Sequence, residues 1–298
     1  MILKMAHREM ELGSAQMGTL RDSNAILSDP KALQARMVED GYLLLRGVQK
    51  RETVLATRRF LLENLAENEQ IDLNYPLMEG VIKEGARGDF LGGSKQLTRD
   101  PLFLNTVESP EIMGFFAHFL EASVLTFDYK WLRVVGNGDF TGAHYDIVYM
   151  GRGTQNLYTC WTPLGDLNYD IGPLAILVGS HRGSAYERVR ETYGKMDVDR
   201  DKVTGWFSSD PYEMLEKFGG QWQTTEFQMG DVLIFGMYTM HASLTNITNR
   251  YRLTSDTRYQ RADEPVDERW IGENPLAHYS WQEGKTVSME EARKEWKI

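Results

Sequence analysis

The sequence predicts a mainly β protein, a barrel or sandwich with helices packed on it. Three observations lead there. From about residue 124, short aromatic and β-branched runs alternate with Gly/Asp/Asn turns, at 124–135, 143–150, 156–163, 173–178, 231–236, 240–245 and 251–260. Strands at that spacing suit a closed β architecture rather than βαβ units. Helix start and stop signals gather before this region, and no repeat, low-complexity tract or Pro/Ser-rich linker divides the 298 residues. One domain is therefore expected: residues 1–123 as mainly helical support with an early strand, 124–260 as the β core, and 261–298 as a C-terminal tail.

In chain order, Asp29 is placed to cap a short helix with Pro30 in its first turn. Gly41 ends that helix, and Tyr42 to Arg46 follow as a strand. Residues 51 to 66 carry Val54, Leu55, Phe60, Leu61, Leu62 and Leu65 as one broad apolar helical face. "SPEIMGFFAHFLEA" opens with Ser109 and Pro110 and turns Ile112, Phe115, Phe116 and Phe119 inward. The stretch 182–228 breaks the strand rhythm, being polar and partly helical, with Trp206 and Trp222. It reads as a lid-like insertion between barrel strands. In "SMEEARKEW", Ser288 and Glu291 form a capping-box start for a terminal helix.

Composition narrows the partners. The chain is 42% apolar and 26% charged, in the soluble globular range. A formal net charge of −10 argues against nucleic-acid and anionic-membrane partners. No apolar run approaches the ~18 residues of a membrane span. Cys160 is the sole cysteine, which rules out an intrachain disulfide. With an opening "MILKMAHREMELG" that lacks a signal-type apolar core, a cytoplasmic setting is the expectation. The sequon at Asn246 is read as carrying no information.

Chemistry enters at "TGAHYDIVYM". Read as a strand, this stretch sends His144 and Asp146 to one face and Tyr145 and Ile147 to the other. Either the pair binds something or that face is wet. A third ligand has to come from another strand. His7 and His278 lie near the termini, His118 sits in a Phe-rich helix, and His181 in "VGSHRG" reads as a loop brace. His241 remains, at the start of a strand after "GDVLIFG". Two histidines and one carboxylate leaving a coordination face open is the set favoured by non-haem Fe(II) oxygenases. By itself, H-x-D with a distant His is a weak signal. Arg252 adds to it, because a guanidinium on an inner barrel face is costly unless an anion meets it. Thr254, two residues on, shares that face. A dicarboxylate chelating the metal at one end reaches such an arginine with the other.

The ordered segments "AHYD", "TCWTPLGD", "GPLAILVGSHRG", "GDVLIFGMYTMH" and "YRLT", preceded by "EDGYLLLRGV", resemble the phytanoyl-CoA dioxygenase-like branch of the Fe(II)/2-oxoglutarate oxygenases. The resemblance runs from about residue 33 to 260. It implies a double-stranded β-helix, that is, a jelly-roll or cupin-like barrel. It also implies Fe(II) on His144, Asp146 and His241, and 2-oxoglutarate and O2 as co-substrates. Arg252 would meet the distal carboxylate with Thr254 as helper, and Trp161 would lie either near the co-substrate or in the core. The reaction implied is hydroxylation with release of succinate and CO2, since relatives that halogenate lack the carboxylate that Asp146 supplies, with desaturation or ring closure as alternative outcomes. Tyr145 replaces the commoner glutamine of H-Q-D.

The family name does not fix the substrate, because one fold hosts many. A small molecule is expected, with Arg133, Tyr149, Arg152, Tyr158, Trp206 and Trp222 as pocket candidates. Two alternatives stand beside this reading: a cupin-like metal enzyme without 2-oxoglutarate, and a non-catalytic ligand-binding barrel. Oligomeric state is not legible in the sequence.

Overall fold

The computed structural model describes residues 1–91, 95–279 and 286–298. Its strands are β1 (Ile2–Met5), β2 (Arg8–Glu11), β3 (Met17–Thr19), β4 (Tyr42–Leu45), β5 (Asp89–Phe90), β6 (Val124–Thr126), β7 (Trp131–Val135), β8 (Tyr158–Pro163), β9 (Leu174–Val178), β10 (Gln221–Thr224), β11 (Val232–Gly236), β12 (His241–Ser243) and β13 (Arg252–Arg261).

A seven-stranded sheet runs β4-β11-β8-β13-β7-β5, with β6 added to β13. A four-stranded sheet runs β12-β9-β10-β3, and β1 pairs with β2 alone. The β10–β3 pair is parallel and the other strand pairs are antiparallel. Neighbours such as β4 and β11, or β8 and β13, lie far apart in sequence. That is the long-connection topology of a jelly roll, which closes a sheet without exposed central edges.

Helices cover the outer face of the larger sheet. Asp29 accepts from the backbone N–H of Lys31 and Ala32 to start the helix Pro30–Asp40, and Gly41 ends it at φ 79°. Ser109 caps the helix Pro110–Leu120. These two pack on Leu43, Leu45, Cys160, Val232, Ile234 and Tyr259. The helix Arg51–Glu67 and the helix Pro101–Val107 pack on Leu132, Val134 and Leu253. β13 is thus buried on both faces, and its alternation separates Leu253, Ser255, Thr257 and Tyr259 from Arg252, Thr254, Asp256 and Arg258. The first set faces the helices. The second faces the interior.

Between the sheets lies an apolar cluster of Tyr42, Leu44, Trp161, Leu174, Ile176, Phe227, Leu233 and Phe235. The outer face of the smaller sheet (Met17, Ala175, Leu177, Trp222, Ala242) is covered by Tyr186, Val189, Tyr193, Phe207 and Met214, and by Met289 and Ala292. Those last two belong to the helix Met289–Trp296, which opens with the expected capping box at Ser288 and Glu291.

Three expectations change. Residues 143–150 are not a strand: only Ala143 and His144 form bridges, to Ser208 and His241, and Ile147–Met150 is a single helical turn. Their β-branched and aromatic residues carry strand propensity, but Ile147 N–H is taken by Met237 C=O and Tyr149 N–H by Asp146 C=O. The stretch 182–228 contains β10, a true member of the smaller sheet, so barrel strands do not resume only after residue 228. The N-terminal part holds β1, β2, β3 and β5 besides the expected β4. No helix among the described residues is long and apolar enough to cross a membrane.

Candidate metal centre

His144 and His241 face each other across a two-residue bridge in which each backbone N–H donates to the other's carbonyl, at 3.0 and 3.1 Å. Both side chains are buried, with ring centroids 4.1 Å apart. His144 Nδ1 donates to Gly142 C=O (2.8 Å) and His241 Nδ1 to Thr239 C=O (3.0 Å). A carbonyl only accepts, so the proton sits on Nδ1 and each Nε2 lone pair is bare. Both Nε2 atoms turn toward Asp146 Oδ1, at 3.6 and 3.7 Å. Among the described residues these three are the one group of His, Cys, Asp and Glu side chains that converges tightly enough for a metal ion, with donor atoms all within 4.8 Å.

Asp146 reaches the centre by a turn. The helical conformation at Asp146 (φ −69°, ψ −25°) brings its carboxylate back toward His144, where strand alternation was expected to do so. Tyr145 goes the other way: its hydroxyl donates to Ser180 C=O (2.9 Å) and its ring packs near Tyr193 and Tyr238.

The other carboxylate oxygen, Asp146 Oδ2, accepts from Thr159 Oγ1 (2.5 Å, β8) and Arg258 Nη2 (3.1 Å, β13). Burial works to raise this carboxyl, but Arg258 first, then His241 and His144, hold it well below the ordinary carboxylate range. Burial, and then His144, draw His241 down to about 3, which keeps its imidazole neutral and able to ligate.

Farther along the inner face of β13 lie Arg252 and Thr254, both fully buried. Arg252 Nη1 donates to Gly172 C=O, while Arg252 Nε and Thr254 Oγ1 have no hydrogen-bond partner among the described residues. Burial, and next Arg133, pull the Arg252 guanidinium down to about 10. Two adjacent buried donors left unpaired are costly for a folded chain, and an anion between them removes that cost. The donor set therefore suits a carboxylate, as the His144, Asp146 and His241 cluster could hold a metal ion. Trp161 is buried on the same interior, edge-on to Phe227 at 4.9 Å.

The pocket candidates separate. Arg133 lies opposite Thr254 in the sheet register, donates from Nε to Asp256 (2.5 Å), and keeps 29% of its side chain accessible. Tyr149 sits edge-on to the His144 ring (5.6 Å) and, with Trp206, lines a cavity of about 570 Å3. Trp206 is 42% exposed and lies over the backbone of Gly142. The remaining three go elsewhere. Arg152 is taken up by Asp197 (2.6 and 3.0 Å) and the Tyr279 hydroxyl. Tyr158 alternates outward on β8, against Phe119 of a covering helix. Trp222 is core, its indole N–H donating to Pro211 C=O.

Thr159 and, on β13, Asp256 and Arg258 carry no motif signal of their own; Thr159 and Arg258 bond Asp146, while Asp256 bonds Arg133. Alternation was a signal for Asp256 and Arg258: Arg252, Thr254, Asp256 and Arg258 alternate along one strand, so whatever places the first inside places all four inside. Of the other histidines, His181 braces the Pro30–Asp40 helix through Val38 C=O (2.9 Å), as expected, and His278 binds Asp199 (2.9 Å).

A family model described as phytanoyl-CoA dioxygenase (PhyH) matches residues 37–254, a span that includes His144, Asp146, His241 and Arg252. The chain belongs to the phytanoyl-CoA dioxygenase family. Among curated proteins of the same kind, it is 26% identical over 257 residues to a 1-deoxypentalenic acid 11-beta-hydroxylase of Streptomyces exfoliatus, covering 81% of this chain and 84% of that one. The enzyme of the same name from Streptomyces arenae is 26% identical over 253 residues. Similar solved structures include the non-heme alpha ketoglutarate dependent carbocyclase SnoK from nogalamycin biosynthesis (TM-score 0.59, 18% identity, 83% of this chain and 90% of that one). EctD from S. alaskensis with 2-oxoglutarate and 5-hydroxyectoine gives a TM-score of 0.55 at 18% identity, over 87% and 86%. At these identities the structural likeness concerns the fold, and it agrees with the jelly roll described above.

Proposed function

We propose that the protein is an Fe(II)- and 2-oxoglutarate-dependent dioxygenase that hydroxylates an unactivated C–H bond of a small molecule, with release of succinate and CO2. The observation that carries this reading is the pairing, in one barrel interior, of the His144/Asp146/His241 cluster with unpaired buried donors on Arg252 and Thr254. The first fits a metal. The second fits the far carboxylate of a dicarboxylate, which a metal enzyme without 2-oxoglutarate has no use for.

Iron with bound 2-oxoglutarate supplies the oxidising chemistry with O2 that no side chain provides. The chain's own residues do the rest. His144, Asp146 and His241 would hold the metal through Nε2, Oδ1 and Nε2. Arg252 and Thr254 orient the co-substrate, and the apolar wall of Trp161, Phe227, Leu233 and Phe235 keeps water from it. Tyr149 and Trp206 line the cavity beside His144 and present an aromatic face to substrate. The two similar hydroxylases act on a small organic acid by name, which supports a metabolite-sized substrate here. A single cysteine, buried at Cys160, supports a cytoplasmic setting.

The test is the affinity of the iron-loaded protein for 2-oxoglutarate without oxygen, by calorimetry. Replacing Arg252 with Ala leaves the carboxylate without its cation, and a weakening of about 100-fold or more is expected, since losing one partner of a buried pair costs roughly 3–5 kcal/mol. Unchanged affinity in Arg252→Ala contradicts the assignment.

A further inference from the structure

Arg258 is 2% exposed and makes few of the bonds a guanidinium is capable of. Nη2 donates to Asp146 Oδ2 at 3.1 Å, Nε meets the Met150 sulfur at 3.1 Å, and the plane lies 4.6 Å from the centroid of the Trp131 ring. Nη1 is buried without a partner among the described residues. For stability alone this is a poor arrangement, because an apolar side chain of similar volume fills such a space without the desolvation cost. The guanidinium touches Asp146 on the oxygen that turns away from the two histidines. Thr159 Oγ1 takes the same oxygen at 2.5 Å from another strand.

We propose that Arg258 is a positioning residue for the metal centre: with Thr159 it occupies Oδ2 of Asp146, leaves Oδ1 as the single ligand oxygen, and its charge opposes loss of an electron from iron held there. The inference rests on the iron reading above and adds a residue and a control to it. Two consequences follow from elementary electrostatics. A carboxylate held by one oxygen uses one coordination position, so the face needed by co-substrate and O2 stays open. A fixed positive charge on the ligand draws electron density from it and stabilises the ferrous over the ferric ion, in the way that groups beyond the ligands tune a metal. One strand, β13, then carries both the arginine for the co-substrate and the arginine for the ligand.

The test uses the full chain loaded with Fe(II) and 2-oxoglutarate under argon, in wild type, Arg258→Met, Arg258→Lys, Thr159→Val and Thr159→Ser. In Arg258→Met the visible metal-to-co-substrate band moves to longer wavelength, because the iron becomes more electron-rich. On admitting air without substrate, oxidation of Fe(II) to Fe(III) by O2 runs several-fold faster than in wild type. Arg258→Lys keeps the charge and stays near wild type in both readouts. Thr159→Ser behaves as wild type, while Thr159→Val broadens or shifts the band. Should Arg258→Met fail to fold, the threonine pair and Arg258→Lys still decide the positioning claim. A band and an oxidation rate indifferent to Arg258→Met, with wild type binding iron normally, overturn this proposal alone. A wild type that binds no iron overturns the iron reading and this proposal with it.

Discussion

Tyr145 and Asp146 are adjacent in sequence and opposite in fate. One side chain enters the centre and the other leaves it, because a turn begins between them. The Tyr145 hydroxyl donates to Ser180 C=O, which also accepts from Arg190 Nη1 at 3.1 Å, and the same guanidinium lies beside the hydroxyl. Tyr145→Phe therefore removes one buried hydrogen bond without orphaning its acceptor, and a loss of about 1 kcal/mol is expected. Urea unfolding reads that loss. Iron affinity in the same variant stays at the wild-type value, and a drop of tenfold there would mean that Tyr145 reaches the metal. The three residues that converge, His144, Asp146 and His241, were legible from residue type and order. Arg258 and Thr159 were not, because which oxygen of a carboxylate is occupied is a matter of distance rather than pattern. Arg152 misled for the same reason: between two glycines it looks free, and only the folded chain brings Asp197 to it.

At the scale of elements, the helices with side-chain caps were readable because Asp29, Ser109 and Ser288 act within three residues of themselves. The turn at 147–150 was not, since its Ile-Val-Tyr content favours a strand and long-range bonds overrule it. The segment around 204–208 and the terminal helix frame the cavity beside Tyr149. A Cβ at Gly205 would lie 2.0 Å from the Tyr149 hydroxyl, so Gly205→Ala forces that ring to swing. Succinate release with substrate is expected to fall in this variant, with iron affinity within a few-fold of wild type. Equal turnover would remove Tyr149 from the substrate wall. The terminal helix is tied by Arg293 to Glu213, and Ser208 and Lys217 meet the same carboxylate. Burial works to raise Glu213, but these partners bring it down to about 2 from 4.5. The folded pKa is depressed, so the stabilisation is full above about pH 5 and fades as pH falls through 2. Thermal unfolding of Glu213→Gln is expected to lag wild type at neutral pH and to converge with it near pH 2. A constant gap across that range would show that the ion pair is not its source.

For the whole molecule, closing two sheets on each other gives the strands two different exteriors and one shared interior. Cys160 illustrates the separation: it alternates to the helix-covered face of β8, where burial pushes its thiol up to about 12 and leaves it inert, while Thr159 and Trp161 beside it enter the barrel. The fold class was legible because strand spacing and ordered motifs survive without knowledge of contacts. Two strands of the smaller sheet were not: β3 is only three residues long at its edge, and β10 (Gln221–Thr224) alternates Gln and Trp between β9 and β3, so both owe their pairing to the sheet that receives them. Asn246, first residue of a formal sequon, is fully buried and spends its amide on Val135 and Arg250 carbonyls, so it is a structural residue. The central claim concerns what the interior holds. Anaerobic addition of Fe(II) and then 2-oxoglutarate to the wild-type chain tests it most directly: a weak charge-transfer band in the middle of the visible spectrum is predicted, saturating at one equivalent of each and absent in Asp146→Ala. Iron binding without any band on adding 2-oxoglutarate, or no iron binding at all, would contradict it.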